Sequence, residues 1–328
     1  MSRAMDAYRI SQLNQQLSFL ANSETFSMSG RAAGGVYRRK PREFVLPPGS
    51  LENLFPTIRV TVPDYFRRNK ISWHSPTHLL SSQVFCVNFL EPFAFEPDAL
   101  RRLFEPIVGP IDEMLEPEPT SHPGRFVAYE FIGGSDYLNE ARGTERARGA
   151  NCTSVDAAIR FRTQTGAIEV ALIEWKYTES YKAPAADPRN EERKRRYQNL
   201  AFHPDGPLRP DLGIELVEFF TEPIYQLLRQ QMLAMQMEKA HELGATRVRT
   251  ILVVPGANLA FKCLKIGPLR AFGEDVTSAW HAVLQNRDHF ILCLTEDFFV
   301  HARAAIVDEP GWDAWRRYVG GRYDLEPA

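Results

Sequence analysis

The chain has 328 residues, of which 44% are hydrophobic, so it is long and apolar enough to form a packed core. No apolar run approaches the roughly 20 residues that a membrane-spanning helix requires, and the opening MSRAMDAYRISQLNQQ lacks the apolar core of a secretory signal. We therefore expect a cytoplasmic protein with no membrane partner. The formal charge of -2 argues against a protein that coats nucleic acid through its overall charge, although an enzyme needs only a local basic path.

Isolated cysteines and missing motifs exclude several other chemistries. The four cysteines stand singly, at Cys86, Cys152, Cys263 and Cys293. Without a CxxC pair they predict neither a zinc site nor a disulfide framework. His74 and His78 are separated by Pro76, which argues against one helical turn presenting both to zinc. The chain also lacks HExxH, P-loop, GxSxG and GxGxxG motifs, which excludes the commonest protease, nucleotide-hydrolase and dinucleotide-binding classes.

Residues 1–50 have few clustered apolar residues and end in the basic stretch YRRKPREFVLPPGS. This pattern predicts a partly irregular N-terminal extension that wraps on the domain or stays mobile. We expect residues 51–328 to form the main domain, with its core at about 76–255.

The first elements of that core are a helix and a strand. From Pro76, the segment PTHLLSSQVFCVNFLEPF predicts a buried helix with Thr77 as its cap and its end at Pro92. The segment RFVAYEFI, from Arg125 to Ile132, is rich in aromatic and branched residues and predicts a strand.

The later elements have clear boundaries. The segment EPIYQLLRQQMLAMQMEKAHEL predicts a long helix with Thr221 as its cap, Pro223 in its first turn and Gly244 at its close. The segments VRTILVVPG and HFILCLTEDFF predict strands, and WDAWRRYV predicts a terminal helix. Together with a hairpin in the middle of the chain, the order is helix, three strands, helix and strand. This order predicts an α/β fold with a mixed sheet between helices.

That central hairpin brings two acids together. The strands SVDAAIRFRT and AIEVALIEWKY flank a three-residue loop, in which Gly166 takes the position that needs a left-handed conformation. The loop places Thr163 opposite Ala167, and the same register places Asp156 opposite Glu174. Directly opposed residues of an antiparallel pair lie on one face with their β-carbons about 5 Å apart. A slip of one residue would send the aspartate to the other face.

A basic residue joins the two acids. Lys176 lies two residues beyond Glu174 and projects from the same face, whereas Trp175 projects from the other. Two facing carboxylates repel unless a cation lies between them, and oxygen ligands without nearby histidine or cysteine favour Mg²⁺ or Mn²⁺. Such a metal can polarise a phosphodiester, and the lysine can orient the attacking water or neutralise the phosphate.

At these residues the sequence resembles the PD-(D/E)XK, or restriction-endonuclease-like, phosphodiesterase superfamily. Its pattern of an acid, a variable spacer and then acid-x-lysine is matched by Asp156 and by Glu174-Trp175-Lys176, and the similarity covers about 76–255. The wider strings NCTSVDAAI, LIEWKYTE and LLSSQ look like one of its bacterial families. The resemblance implies a restriction-endonuclease-like core and a metal-dependent endonuclease that hydrolyses DNA in restriction or defence.

The resemblance also implies roles for further residues. The Trp175 carbonyl would join the two acids as a metal ligand. Many members add a glutamate from the first helix, whereas this helix offers only Gln83 before its end. A further carboxylate could come from Glu130, which we prefer, or from Glu140. On the long helix, Gln231 falls on the apolar stripe and would direct an amide inward.

The loop before the hairpin carries a basic cluster, Arg142, Arg146 and Arg148, which we expect to contact phosphates of DNA. The later run Arg193 to Arg196 is either a solvated face or a second contact. Several alternatives stay open at this point. The acids and the lysine could form a structural ion pair, the protein could bind nucleic acid without turnover, or it could be a partner-binding domain. RNA is not excluded as substrate, and a homodimer is conceivable although no heptad pattern is visible.

Overall fold

The computed structural model describes residues 3–32, 34–141, 143–149, 152–182, 187–307 and 310–326. Its helices are α1 Arg3–Asn22, α2 Thr61–Arg68, α3 Ser82–Leu90, α4 Pro97–Val108, α5 Asn190–Ala201, α6 Ile224–Lys239, α7 Leu259–Lys262, α8 Val276–Val283, α9 Thr295–Ala305 and α10 Asp313–Tyr323. Its strands are β1 Gly35–Tyr37, β2 Lys40–Arg42, β3 Ile111–Leu115, β4 Ala128–Phe131, β5 Val155–Thr163, β6 Ile168–Trp175, β7 Arg247–Val254 and β8 Phe290–Leu294. Within these ranges no helix is both long and apolar enough to cross a membrane.

A mixed six-stranded sheet forms the centre of the molecule. Its order is β3-β5-β6-β7-β8, and β4 also pairs with β5. The pairs that include β5 are antiparallel, whereas β6, β7 and β8 run parallel. The predicted mixed sheet flanked by helices is therefore confirmed.

Helices cover both faces of this sheet. Alternate residues of β5 and β6 point to opposite sides, as a strand requires. Ala157 and Ile173 belong to one buried apolar cluster, with side chains of α3, α4, α9 and α10. Ala158 and Leu172 belong to the other, with side chains of α6 and α8. The strands are consequently apolar along most of their length, and polar residues concentrate where β5 begins and β6 ends.

The predicted hairpin register is confirmed. Ala157 pairs with Ile173 and Ala158 pairs with Leu172, which is the register inferred from the loop. The backbone N–H of Thr163 donates to the carbonyl of Ala167 at 2.8 Å. In the loop, Gly166 has φ of +84°, a conformation in which glycine is much less strained than other residues.

The first core helix starts later than predicted. It begins at Ser82 with Ser81 as its cap, so the prediction that Thr77 caps the helix is wrong. The reason is a tertiary contact, because the backbone of residues 77–79 hydrogen-bonds to residues 44–46 of the N-terminal extension. Those bonds hold the segment before the helix in an extended form.

The N-terminal extension is more ordered than its composition indicates. It contains α1 and a short hairpin formed by β1 and β2. Buried Gln16 attaches α1 to the C-terminal helix by donating to the carbonyl of Arg322 at 2.9 Å, and it also donates to the Tyr177 hydroxyl at 3.1 Å. Polar side chains make these anchoring contacts, so an apolar periodicity in the sequence does not reveal them.

Candidate active site

Three carboxylates line one cavity at the end of the central hairpin. They are Asp156 at the start of β5, Glu174 near the end of β6 and Glu130 on β4, and the cavity has a volume of about 230 Å³. The remaining lining residues are His74, Gly149, Cys152, Ser154, Gln226 and Arg229. The site lies on the sheet face that α6 covers. The hairpin therefore brings together the two acids that its register predicted.

Asp156 is the acid most in need of a compensating cation. Its Oδ2 accepts a hydrogen bond from the backbone N–H of Trp175 at 2.7 Å. Burial, followed by the nearby charges of Glu174 and Glu130, raises the pKa of Asp156 well above its usual value. Lys176 and the Trp175 N–H oppose this rise only in part. A cation bound here would reverse the balance and favour the ionised aspartate.

Glu174 and Lys176 form a buried ion pair. The Lys176 ammonium lies 2.5 Å from Glu174 Oε1, and the two side chains are 7% and 6% exposed. Burial works to lower the pKa of Lys176, but the charge of Glu174 outweighs it and holds that pKa well above its usual value. The lysine therefore stays protonated at neutral pH, and the ion pair that the structural alternative expected is present.

Two glutamines of α6 fix this ion pair. The side-chain amide of Gln226 donates to Glu174 Oε1 at 2.7 Å and accepts from Lys176 at 2.7 Å. Gln230 donates to Glu174 Oε2 and also to the carbonyl of Ser154. Residues four apart share one side of a helix, and this spacing is the signal by which the sequence could have indicated them.

The prediction that Gln231 enters the site is wrong. Its amide donates to the carbonyl of His289, and its Oε1 accepts from the Thr250 hydroxyl at 2.7 Å. Both partners belong to the region of β7 and β8, away from the carboxylates. The apolar stripe identified the buried side of α6, but adjacent helical residues point about 100° apart, so Gln230 rather than Gln231 reaches Glu174.

Glu130 is held tightly by its neighbours. It is 4% exposed, and its carboxylate accepts from Gln83 at 2.6 Å and from the Ser154 hydroxyl at 3.0 Å. Burial raises the pKa of Glu130, although the hydrogen bonds from Gln83 and Ser154 lower it in part. Gln83 thus supports a carboxylate of the cavity. Glu140 binds Thr153 and Tyr197 instead and is not among the residues that line the cavity.

The arginines predicted to contact phosphate are engaged in the fold. The Arg146 guanidinium donates to the carbonyls of residues 132–135. Arg148 pairs with Glu118 and also donates to the Tyr65 hydroxyl. The prediction that these two arginines contact nucleic acid is therefore wrong, because their donors are occupied by neighbours that the sequence does not reveal. Arg142 lies outside the described residues.

Arg229 is the arginine that does line the cavity. It follows Gln226 by three residues and precedes Gln230 on the same side of α6. Its Nη1 donates to the Thr153 hydroxyl at 3.3 Å, and its guanidinium lies over the Tyr225 ring at 4.7 Å. In the described structure its Nε has no hydrogen-bond partner. This arginine was missed from the sequence because it has no neighbouring basic residue on the helix.

The oxygen ligands suit a hard divalent cation. Mg²⁺ is usually held by one or two carboxylates, with water completing its coordination. Asp156 and Glu174 provide such a pair, and the raised pKa of Asp156 indicates uncompensated negative charge. In the described ranges, no three side chains of His, Cys, Asp or Glu are grouped closely enough to hold a metal by themselves. The residues therefore fit a two-carboxylate site completed by water or backbone oxygen.

The mixed sheet, the covering helices and the acid-x-lysine strand end define a restriction-endonuclease-like protein. A comparison with protein families agrees, since the family described as restriction endonuclease associating with ARP matches residues 11–315. The chain belongs to this family. Searches of curated proteins and of solved structures found no significant match.

Proposed function

We propose that the protein is a metal-dependent endonuclease that hydrolyses DNA phosphodiester bonds in a restriction or defence role in the cytoplasm. One observation carries the proposal: Asp156, Glu174 and Glu130 line the same cavity, and Lys176 is bound to the central acid. Membership of a restriction endonuclease family supports it. The description of that family also supports a second protein, an ARP, as a partner.

Each side chain of the cavity has a role in this proposal. Asp156 and Glu174, with the Trp175 carbonyl, would hold Mg²⁺ or Mn²⁺. The bound metal would supply Lewis-acid polarisation of the phosphodiester and lower the pKa of a coordinated water. Lys176 keeps its proton at Nζ and neutralises charge on the phosphate or orients the attacking water. Arg229, at the cavity wall, pairs with a phosphate oxygen of the substrate.

Plasmid cleavage tests the proposal directly. Purified protein is incubated with supercoiled DNA in Mg²⁺, in Mn²⁺ and in EDTA, and nicked or linear products are expected only with metal. Asp156→Asn should remove cutting, whereas Asp112→Asn, an exposed aspartate on β3 of the same sheet, should leave it unchanged. Equal cutting by the Asp156→Asn protein would reject the assigned site, and a parallel RNA substrate reports the other nucleic acid.

A nucleic-acid-binding protein without turnover is the second candidate. It is favoured by the internal saturation of Glu174, whose Oε1 already accepts from both Lys176 and Gln226. Thermal melts with and without Mn²⁺ separate the two candidates. A metal at one hundred times its Kd stabilises the folded state by about 2.7 kcal/mol. DNA binding together with an unchanged melting temperature in Mn²⁺ would support the second candidate.

A further inference from the structure

The hairpin of the N-terminal extension presents a cluster of cations to solvent. Its residues Gly35 to Arg42 read GVYRRKPR, with no acid among them. The basic side chains are all exposed, and they are Arg38, Arg39, Lys40 and Arg42. In the described part of the chain none of them forms an ion pair or a side-chain hydrogen bond, and Arg38 only lies over the Tyr37 ring at 5.3 Å. These four cations therefore differ from Arg146 and Arg148, whose donors are occupied.

This cluster lies beside a groove that leads to the carboxylates. Tyr37, at the end of β1, lines a cleft of about 210 Å³ together with His74 and Gln83. His74 also lines the carboxylate cavity, and Gln83 donates to Glu130 at 2.6 Å. The cleft and the cavity are consequently neighbours that share a wall. A polymer extending from the carboxylates along this cleft would pass the hairpin.

The hairpin is firmly attached at its base. The backbone N–H of Gly35 donates to the carbonyl of Val45 at 3.0 Å, and Val45 forms a bridge with His78. The Tyr37 ring contacts the His78 ring, with centroids 4.8 Å apart. Because His78 belongs to the segment just before α3, these contacts connect the hairpin to the helix that carries Gln83. The cations are thus held at a defined distance from the cavity.

The turn of the hairpin retains arginines where other residues would be less strained. Arg38 and Arg39 have φ of 50° and 64°, the left-handed region that two-residue hairpin turns require at both positions. Asparagine and glycine are the usual residues there. Strained conformations that persist in bulky residues point to a functional constraint on the side chains. Here the constraint is the placement of two guanidinium groups at the tip.

We propose that the hairpin from Gly35 to Arg42 is an arm that contacts the phosphates of DNA and holds the duplex against the groove leading to the carboxylates. This inference rests on the proposed function, because that function supplies the polyanion. It also accounts for binding by a chain whose net charge is only -2, since a local cluster suffices to attract a phosphate backbone.

Binding in EDTA tests the arm without any cleavage. The probe is a fluorescein-labelled 30-base-pair duplex, and its Kd is measured by anisotropy between 50 and 200 mM salt. The variant Arg38→Asn with Arg39→Gly removes two charges and supplies a favoured turn, so the hairpin should still form. Each lost phosphate contact lowers the slope of log K against log salt by about 0.9, so the variant's Kd should change by about twelvefold less over this range.

A matched control separates the arm from a general charge effect. Arg287→Gln with Arg317→Gln removes two exposed arginines that make no ion pair in the described structure, one before β8 and one on α10. This control should keep the wild-type slope. An unchanged slope in the hairpin variant, or an equal loss in both variants, would overturn the arm and indicate another partner for the hairpin, such as an acidic protein. So would a wild type that binds no DNA.

The cleavage assay is independent of this result. A wild type that binds DNA through the hairpin but cuts nothing in Mg²⁺ or Mn²⁺ would reject the proposed hydrolysis and leave the arm standing. Cutting by the wild type with hairpin-independent binding would do the reverse.

Discussion

Replacing Lys176 by methionine tests the buried ion pair at the centre of the site. The Lys176 side chain is 7% exposed and its ammonium lies 2.5 Å from Glu174. Removing one partner of a buried pair costs about 3–5 kcal/mol. Because Gln226 and Gln230 still donate to the Glu174 carboxylate, we expect the lower end of that range. For a chain of 328 residues, a loss of about 3 kcal/mol lowers Tm by about 4 °C.

The double variant identifies the cause of that loss. Glu174→Gln with Lys176→Met leaves no buried charge of the pair, so it should cost less than the two single changes together, with a coupling of about 1–3 kcal/mol. Free energies of unfolding are measured by urea titration in EDTA. Cutting should be lost in all three variants, because each of them lacks a charged group of the proposed site.

An exposed pair provides the comparison. Lys194 lies 3.5 Å from Glu215, with side chains 41% and 74% exposed. Such a pair is expected to show a coupling below about 1 kcal/mol. If the Glu174–Lys176 coupling were no larger than that of Lys194 and Glu215, the buried geometry described for the site would be refuted.

Three further predictions concern the residues around this pair. Burial and two neighbouring carboxylates raise the pKa of Asp156, so its folded state gains protons and the protein loses stability as the pH rises from about 3.9 through the raised value. Melts should therefore show a larger stabilisation by Asp156→Asn at pH 8 than at pH 5, and an equal effect at both would contradict this. Gln231→Leu should cost about 1–3 kcal/mol because it leaves the buried Thr250 hydroxyl short of a partner, yet keep cutting, whereas Gln230→Leu should reduce kcat; equal rates would place neither at the site. Arg229→Gln should raise the KM for DNA in steady-state cleavage while circular dichroism stays unchanged, and an unaltered KM would remove it from substrate binding.

Local geometry explains why the central acids were predictable. A short loop and the two-residue period of a strand leave few registers. Gly166 and the opposition of Thr163 and Ala167 were therefore enough to place Asp156 against Glu174. The class of fold was predictable for a similar reason, because alternating apolar strands and long capped helices are visible as patterns along the chain.

Residues that reach the site from other elements were not predictable in the same way. The sequence indicated which side of α6 is buried but not how far the helix is displaced along β6, and that displacement selects Gln226, Arg229 and Gln230 over Gln231. The partners of Arg146 and Arg148 come from segments that are distant in sequence or are backbone carbonyls. A basic cluster in a loop therefore predicts charge but does not predict whether that charge is free.

The sequence by itself determined the hairpin, its pair of acids with the adjacent lysine, and the mixed α/β class, because short-range turn geometry and strand periodicity specify them. Only the tertiary structure decided that Glu130 joins these acids, that the loop arginines are occupied and that the basic hairpin of the extension lies beside the groove. These features depend on contacts between segments far apart along the chain, whose relative positions arise only when the two cores pack against the sheet.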